Sequence, residues 1–126
     1  MLITNIVRNG HNPEQVRRVV EESAADVSPN VIASAEVDGN NVRFTLKALN
    51  SRGEYARLSP SGRRTTSANF EAHFRVMADV FRAFPNVTIR SALATFKGYE
   101  DFLERWPSVG ARNVGAPVAP VRFDSL

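Results

Sequence analysis

Three observations in this sequence predict an α+β fold. Large apolar residues recur at helical spacing between Ser67 and Phe84, where Phe70, Phe74, Met77, Phe81 and Phe84 follow at steps of four, three, four and three. Two strand-like runs, Val31 to Val37 and Val42 to Leu49, flank Asp38-Gly39-Asn40-Asn41, whose Gly and Asn supply the positive φ of a tight hairpin turn. The elements then follow in the order strand, helix, strand, strand, helix, strand, helix. That order fits a split βαβ, ferredoxin-like sandwich with an extra C-terminal helix and an extended tail. The first and central helices would share one face of an antiparallel sheet. Because the first strand is short, another α+β sheet with a different strand order is the alternative.

Each element has a local reason. Leu2 to Val7 is rich in Ile, Leu, Val and Thr and reads as a short strand that Gly10 ends. Asn12-Pro13-Glu14-Gln15 starts a helix with an Asn cap, Pro at the first helical position and Gln at the capping-box position. Val16, Val19, Val20, Ser23 and Val27 form its inner stripe, and it ends near Pro29. In the run Val42 to Leu49, Val42, Phe44, Leu46 and Ala48 alternate with Arg43, Thr45, Lys47 and Leu49, so one face enters the core and the other presents two cations. Residues 50–66 show no period and read as a long basic loop, although Tyr55 to Leu58 could add a short strand. The central helix has Ser67 at its start, Arg82 near its negative end and Pro85 as its stop; each large side chain it buries contributes roughly 1.5–3 kcal/mol. Val87 to Phe96 reads as one further strand, with Val87, Ile89 and Leu93 on one face. Tyr99, Phe102, Leu103 and Trp106 then lie on one side of a short helix that Pro107 ends. Residues 108–126 read as an irregular tail lying on the domain.

At 126 residues the chain is long enough for one domain, residues 1–126, with a real core. No apolar run of membrane-spanning length occurs, and MLITNIVRNG lacks the pattern of a signal peptide, so a place in the cytoplasm is expected. The absence of cysteine removes disulfides, thiolate metal sites and cysteine nucleophiles. His11 and His73 are far apart and make no H-E-x-x-H spacing, and Ser61-Gly62 is no nucleophile elbow. His73, between Phe70 and Phe74, reads as a packed or rim residue. No metal, cofactor or catalytic residue is therefore assigned, and the chain is read as non-enzymatic.

The net charge is only +3, but it is uneven: Arg43, Lys47, Arg52, Arg57, Arg63 and Arg64 face the single acid Glu54 between positions 43 and 64. Arginine forks match phosphate oxygens, and the loop leads into the N-terminus of the central helix, where unpaired N–H groups favour anions. These six residues form the candidate nucleic-acid or anion site. No phosphate-loop, dinucleotide, helix-turn-helix, zinc-finger or RNA-recognition-motif signature accompanies them. Tyr99, Phe102 and Trp106 read as core, or as a protein-binding patch if the tail leaves them uncovered.

SRGEYARLSPSGRR, a helix with an aromatic-rich face, and TIRSALATFKGYEDFLERWPSVGARNVGAPVAPV together resemble a family of small uncharacterised phage proteins, chiefly from actinobacterial phages. The resemblance is carried by Ser51, Arg52, Gly53, Ala56, Arg57, Ser59, Ser61, Gly62, Arg63 and Arg64, and by Ala94, Thr95, Phe96, Gly98, Asp101, Phe102, Asn113, Gly115, Ala119 and Pro120. The chain departs from that pattern in having Phe96 for Tyr and Asn69-Phe70 for a Cys-Trp pair, and in lacking terminal cysteines. The resemblance implies a phage protein in the bacterial host cytoplasm and no particular activity or cofactor. Two partner classes follow for the chain: nucleic acid at the basic loop, or a host bacterial protein bound by the loop or an apolar patch. An enzyme with an unrecognised site comes third.

Overall fold

In the computed structural model, which describes residues 1–58, 67–92 and 94–107, six strands form one antiparallel sheet. The elements are β1 (Leu2–Thr4), α1 (Pro13–Val27), β2 (Val31–Asp38), β3 (Asn41–Leu49), β4 (Tyr55–Arg57), α2 (Ser67–Ala83), β5 (Thr88–Arg90), β6 (Thr95–Phe96) and α3 (Tyr99–Arg105), with a 3₁₀ turn at Val7–Asn9. Strand order is β2-β3-β1-β5-β6, with β4 also beside β3. The connection through α1 carries the chain from β1 across β3 to β2, and α2 leads back to β5 across β1. The fold is therefore α+β with the predicted split βαβ order, extended by β4, β6 and α3.

Register explains why one face of the sheet is buried. Val37 pairs with Val42, Val42 with Ile3, Ile3 with Ile89 and Ile89 with Phe96, so one apolar row crosses five strands. All but Val37 in that row are fully buried. The helices cover this face. Asn12 Oδ1 accepts from Glu14 N at 2.8 Å to start α1, which buries Val16, Val20, Ala24 and Val27. Ser23 of α1 donates its hydroxyl proton to Asp79 and so ties α1 to α2. From α2, Phe74, Met77, Val80 and Phe81 are buried as predicted, with Phe84 just beyond its end, and Ala72, Val76 and Ala78 are buried with them, whereas Phe70 is half-buried. The apolar surface thus extends well beyond one stripe, which suits a helix with neighbours on several sides.

Two expectations change and one open alternative is decided. The first strand ends at Thr4, because Asn5 turns the chain with φ 61° into the 3₁₀ turn. Val87 to Phe96 is not one strand: it folds back on itself, Ser91 N donating to Ala94 O at 3.1 Å, so that β5 and β6 pair. Within the basic stretch, the short strand left open at Tyr55 to Leu58 forms as β4. Asn50 Oδ1 accepts from Arg52 N and Glu54 N, both at 3.0 Å, and Gly53 takes φ 76°; this closes a turn that returns β4 along β3. Residues 59–66, Leu93 and the tail from residue 108 lie outside the described residues.

Candidate nucleic-acid interface

The candidate site is built by strand alternation. On β3, Val42, Phe44, Leu46 and Ala48 point into the core, so Arg43, Thr45, Lys47 and Leu49 point to the other side. Register then assigns the neighbours. Lys47 is paired with Ile32 on one side and Arg57 on the other; Leu49 pairs with Tyr55, and Leu2 with both Arg43 and Arg90. Among the described residues no helix covers this face. It carries Arg43, Lys47, Arg57 and Arg90, together with Tyr55, which is 48% exposed, and Ile32.

Two acids share the face, both near Arg43. Glu36 is its cross-strand partner, and Asp38 Oδ2 lies 3.4 Å from its guanidinium, with both side chains more than half exposed. An ion pair this open contributes little and is readily exchanged for another anion. Arg57 and Arg43 also flank the Met1 nitrogen, which donates to Phe44 O; burial, then these two cations, hold its pKa below the ordinary value.

Of the six cations singled out in the sequence, the structure brings Arg43, Lys47 and Arg57 onto one surface. Arg52 is exposed in the turn before β4, at the Tyr55 end of that surface. Arg63 and Arg64 lie outside the described residues, as does any anion site formed with the start of α2. Arg90 was missed by the sequence reading. Alternation already opposed it to Ile89, but only the strand order brings its strand beside β1.

Phe102 is not available as a surface patch. It is fully buried, its ring centroid 5.1 Å from Phe96, 5.6 Å from Phe81 and 6.3 Å from Phe74. Trp106 lies against Phe74 at 4.4 Å and Tyr99 against Phe102 at 6.5 Å, both half-buried, so this side of α3 closes the core. His73 is buried as well. Among the described residues no group of three His, Cys, Asp or Glu is placed to hold a metal ion, and no helix is long and apolar enough to cross a membrane. Comparison with protein-family models, curated proteins and solved structures finds no match to this chain.

Proposed function

We propose that this is a non-enzymatic phage protein that binds single-stranded nucleic acid across the uncovered face of its sheet. The observation that supports this reading is that Arg43, Lys47, Arg57 and Arg90 all lie on that face, with exposed Tyr55 at the Arg57 end of it. Cations supply sequence-independent affinity for phosphates, and an exposed aromatic ring gives an unstacked base a surface to rest on. A flat sheet also suits unpaired bases better than duplex grooves, which favour an inserted helix or ribbon. The phage assignment follows from the resemblance carried by Arg52, Arg57, Arg63, Arg64 and the Gly98–Phe102 segment. Binding of a host protein is less well supported, since Phe102 is core.

The test is fluorescence anisotropy with single-stranded DNA, single-stranded RNA and duplex DNA between 50 and 200 mM salt. For single strands the logarithm of affinity should fall by about 0.7 per phosphate neutralised for each tenfold rise in salt. Four contacts then imply a loss on the order of 50-fold across that range. The double variant Lys47→Ala/Arg57→Ala should bind more weakly and with a shallower slope. Absence of binding at 50 mM salt, or a double variant that binds like the parent, would sink the proposal.

A further inference from the structure

At the β5–β6 end of the same face lies a groove of about 620 Å³ lined by polar and charged residues alone. It includes Arg90, Lys97, Asn5, Asn41, Asn86 and Thr88, and no carboxylate lines it. A neighbouring groove of about 490 Å³ on the α3 side shares Lys97 and Asn86 with it but also holds Glu100 and Asp101, so the acids lie on the far side of Lys97. The first groove therefore combines two positive charges with uncharged amides and hydroxyls. Ordinary small-molecule pockets of this size are lined mainly by apolar side chains. A polar, cationic lining instead suits a ligand that is itself anionic and rich in hydrogen-bonding groups.

One side of the groove, at Asn5 and Asn86, is held by bonds of its own. Asn5 and Asn86 have φ 61° and 71° and are the only non-glycine residues with positive φ among those described. Asparagine tolerates this conformation better than most residues. The two turns are tied together by Asn9, whose Nδ2 donates to Asn5 O at 2.6 Å and to Asn86 O at 3.1 Å. Asn5 Nδ2 donates in turn to Thr88 Oγ1 at 2.9 Å, which holds the Asn5 amide in place and leaves its Oδ1 open to accept a further bond.

We infer that this groove holds one nucleotide, its phosphate against Arg90 and Lys97 and its base or sugar against the amides of Asn5, Asn41 and Asn86. Side-chain amides present a donor and an acceptor side by side, the pattern that matches a base edge. The inference rests on the proposed function in one respect: the nucleotide belongs to a strand that continues over Arg43 toward Lys47 and Arg57. Arg43 and Arg90 flank Leu2 on adjacent strands, which places them about 10 Å apart. The same chemistry would accept a free mononucleotide, and the experiment separates the two sources.

Each of the four common 5′-mononucleotides, the matching nucleosides and inorganic phosphate are titrated into the ¹⁵N-labelled full chain, and the mononucleotides also into Arg90→Ala/Lys97→Ala. A single-stranded oligonucleotide is titrated in parallel into the parent, Arg90→Ala/Lys97→Ala and Lys47→Ala/Arg57→Ala. Both double variants change exposed or half-exposed side chains, and the spectrum itself reports whether each remains folded. Mononucleotide shifts confined to the groove, including the side-chain amides of Asn5, Asn41 and Asn86, are expected, with weaker responses to nucleoside and to phosphate. Arg90→Ala/Lys97→Ala should abolish those shifts and weaken the oligonucleotide roughly tenfold.

If only Lys47→Ala/Arg57→Ala weakens the oligonucleotide and no mononucleotide shifts the groove, the inference fails while the proposed function stands. Groove shifts from mononucleotides without any oligonucleotide binding would uphold the groove as a free-nucleotide site and overturn the strand-binding function. Inorganic phosphate that matches the nucleotide in affinity would overturn the inference, because the amides would then contribute nothing.

Discussion

His73 Nδ1 donates to the Asn69 carbonyl one turn back along α2, at 2.7 Å, and the residue is 2% exposed. It packs with Met1, Phe44, Leu58 and Arg57 around a small cavity between α2 and the sheet. Burial is the main reason its pKa lies below the ordinary value of 6.5; the Met1 ammonium and Arg57 add to the depression, and the bond to Asn69 opposes it. The sign of the pH effect follows. Below pH 6.5 the unfolded chain takes up a proton that the folded chain refuses, so acid favours unfolding. The contribution is fully present above the unfolded value, is lost as pH falls toward the folded value, and has a limiting slope of about 1.4 kcal/mol per pH unit. Urea unfolding between pH 5 and 7.5 should therefore show stability falling with acid in the parent and a flatter profile in His73→Leu. Parallel profiles in the parent and His73→Leu would show that His73 is not the titrating group. Phe70 and Phe74, both within a turn of it, already marked His73 as a packed or rim residue in the sequence, because a helix position beside an apolar stripe has little access to water. Its cationic neighbours were not legible there, since they come from strands more than a dozen residues away.

The elements differ in how plainly the sequence announces them. The β2–β3 hairpin was legible because eight paired positions alternate around a two-residue turn in which Gly39 takes φ 62°. The return at Ser91 was not, because no Gly, Pro or Asn marks it and the flanking strands have strand-like side chains throughout. The three residues of β4 are too few to show a period, so the sequence left Tyr55 to Leu58 open between loop and strand, and pairing with β3 makes it strand. What holds β4 is the Asn50 turn, and this carries a prediction. Asn50→Ala removes the acceptor for two backbone N–H groups. At roughly 0.5–1.5 kcal/mol for each bond, the hairpin should open about tenfold more often or more. Amide exchange at Leu58, bonded to Leu46 O at 2.8 Å, should accelerate accordingly, while amides of β1 and α2 change far less. Nucleic-acid affinity should fall with it, because Tyr55 and Arg57 would no longer be held on the sheet face. Unchanged exchange at Leu58 would mean that the Asn50 side chain does not hold the strand.

At the scale of the whole molecule the charge is divided between the two sides of the sheet. The uncovered face has Arg43, Lys47, Arg57 and Arg90 against Glu36 and Asp38, whereas on the helix side the exposed acids Glu14, Glu21, Glu22 and Asp26 of α1 and Glu100 and Glu104 of α3 outnumber the exposed arginines Arg18, Arg82 and Arg105. The sequence shows the clustering along the chain, but the division in space needs the strand order, which brings Arg90 beside β1 and Arg57 beside Lys47. A net charge of +3 is too small to identify a nucleic-acid-binding protein; what matters is whether the positive potential belongs to one face. Two charge reversals decide this. Arg57→Glu acts on the uncovered face, and Arg18→Glu acts on an exposed position of α1; both change the net charge by the same amount. One sheet-to-helix layer and a helix diameter separate the two positions, about 20 Å in all, roughly twice the Debye length at 0.1 M salt. On a single-stranded DNA column near that salt, Arg57→Glu should elute much earlier than the parent, and Arg18→Glu close to it. Equal displacement of both variants would mean that retention follows net charge alone, and the uncovered face would lose its claim to be the binding surface. A gap that narrows as salt is lowered, when the Debye length grows past the thickness of the molecule, would identify the separation as electrostatic screening.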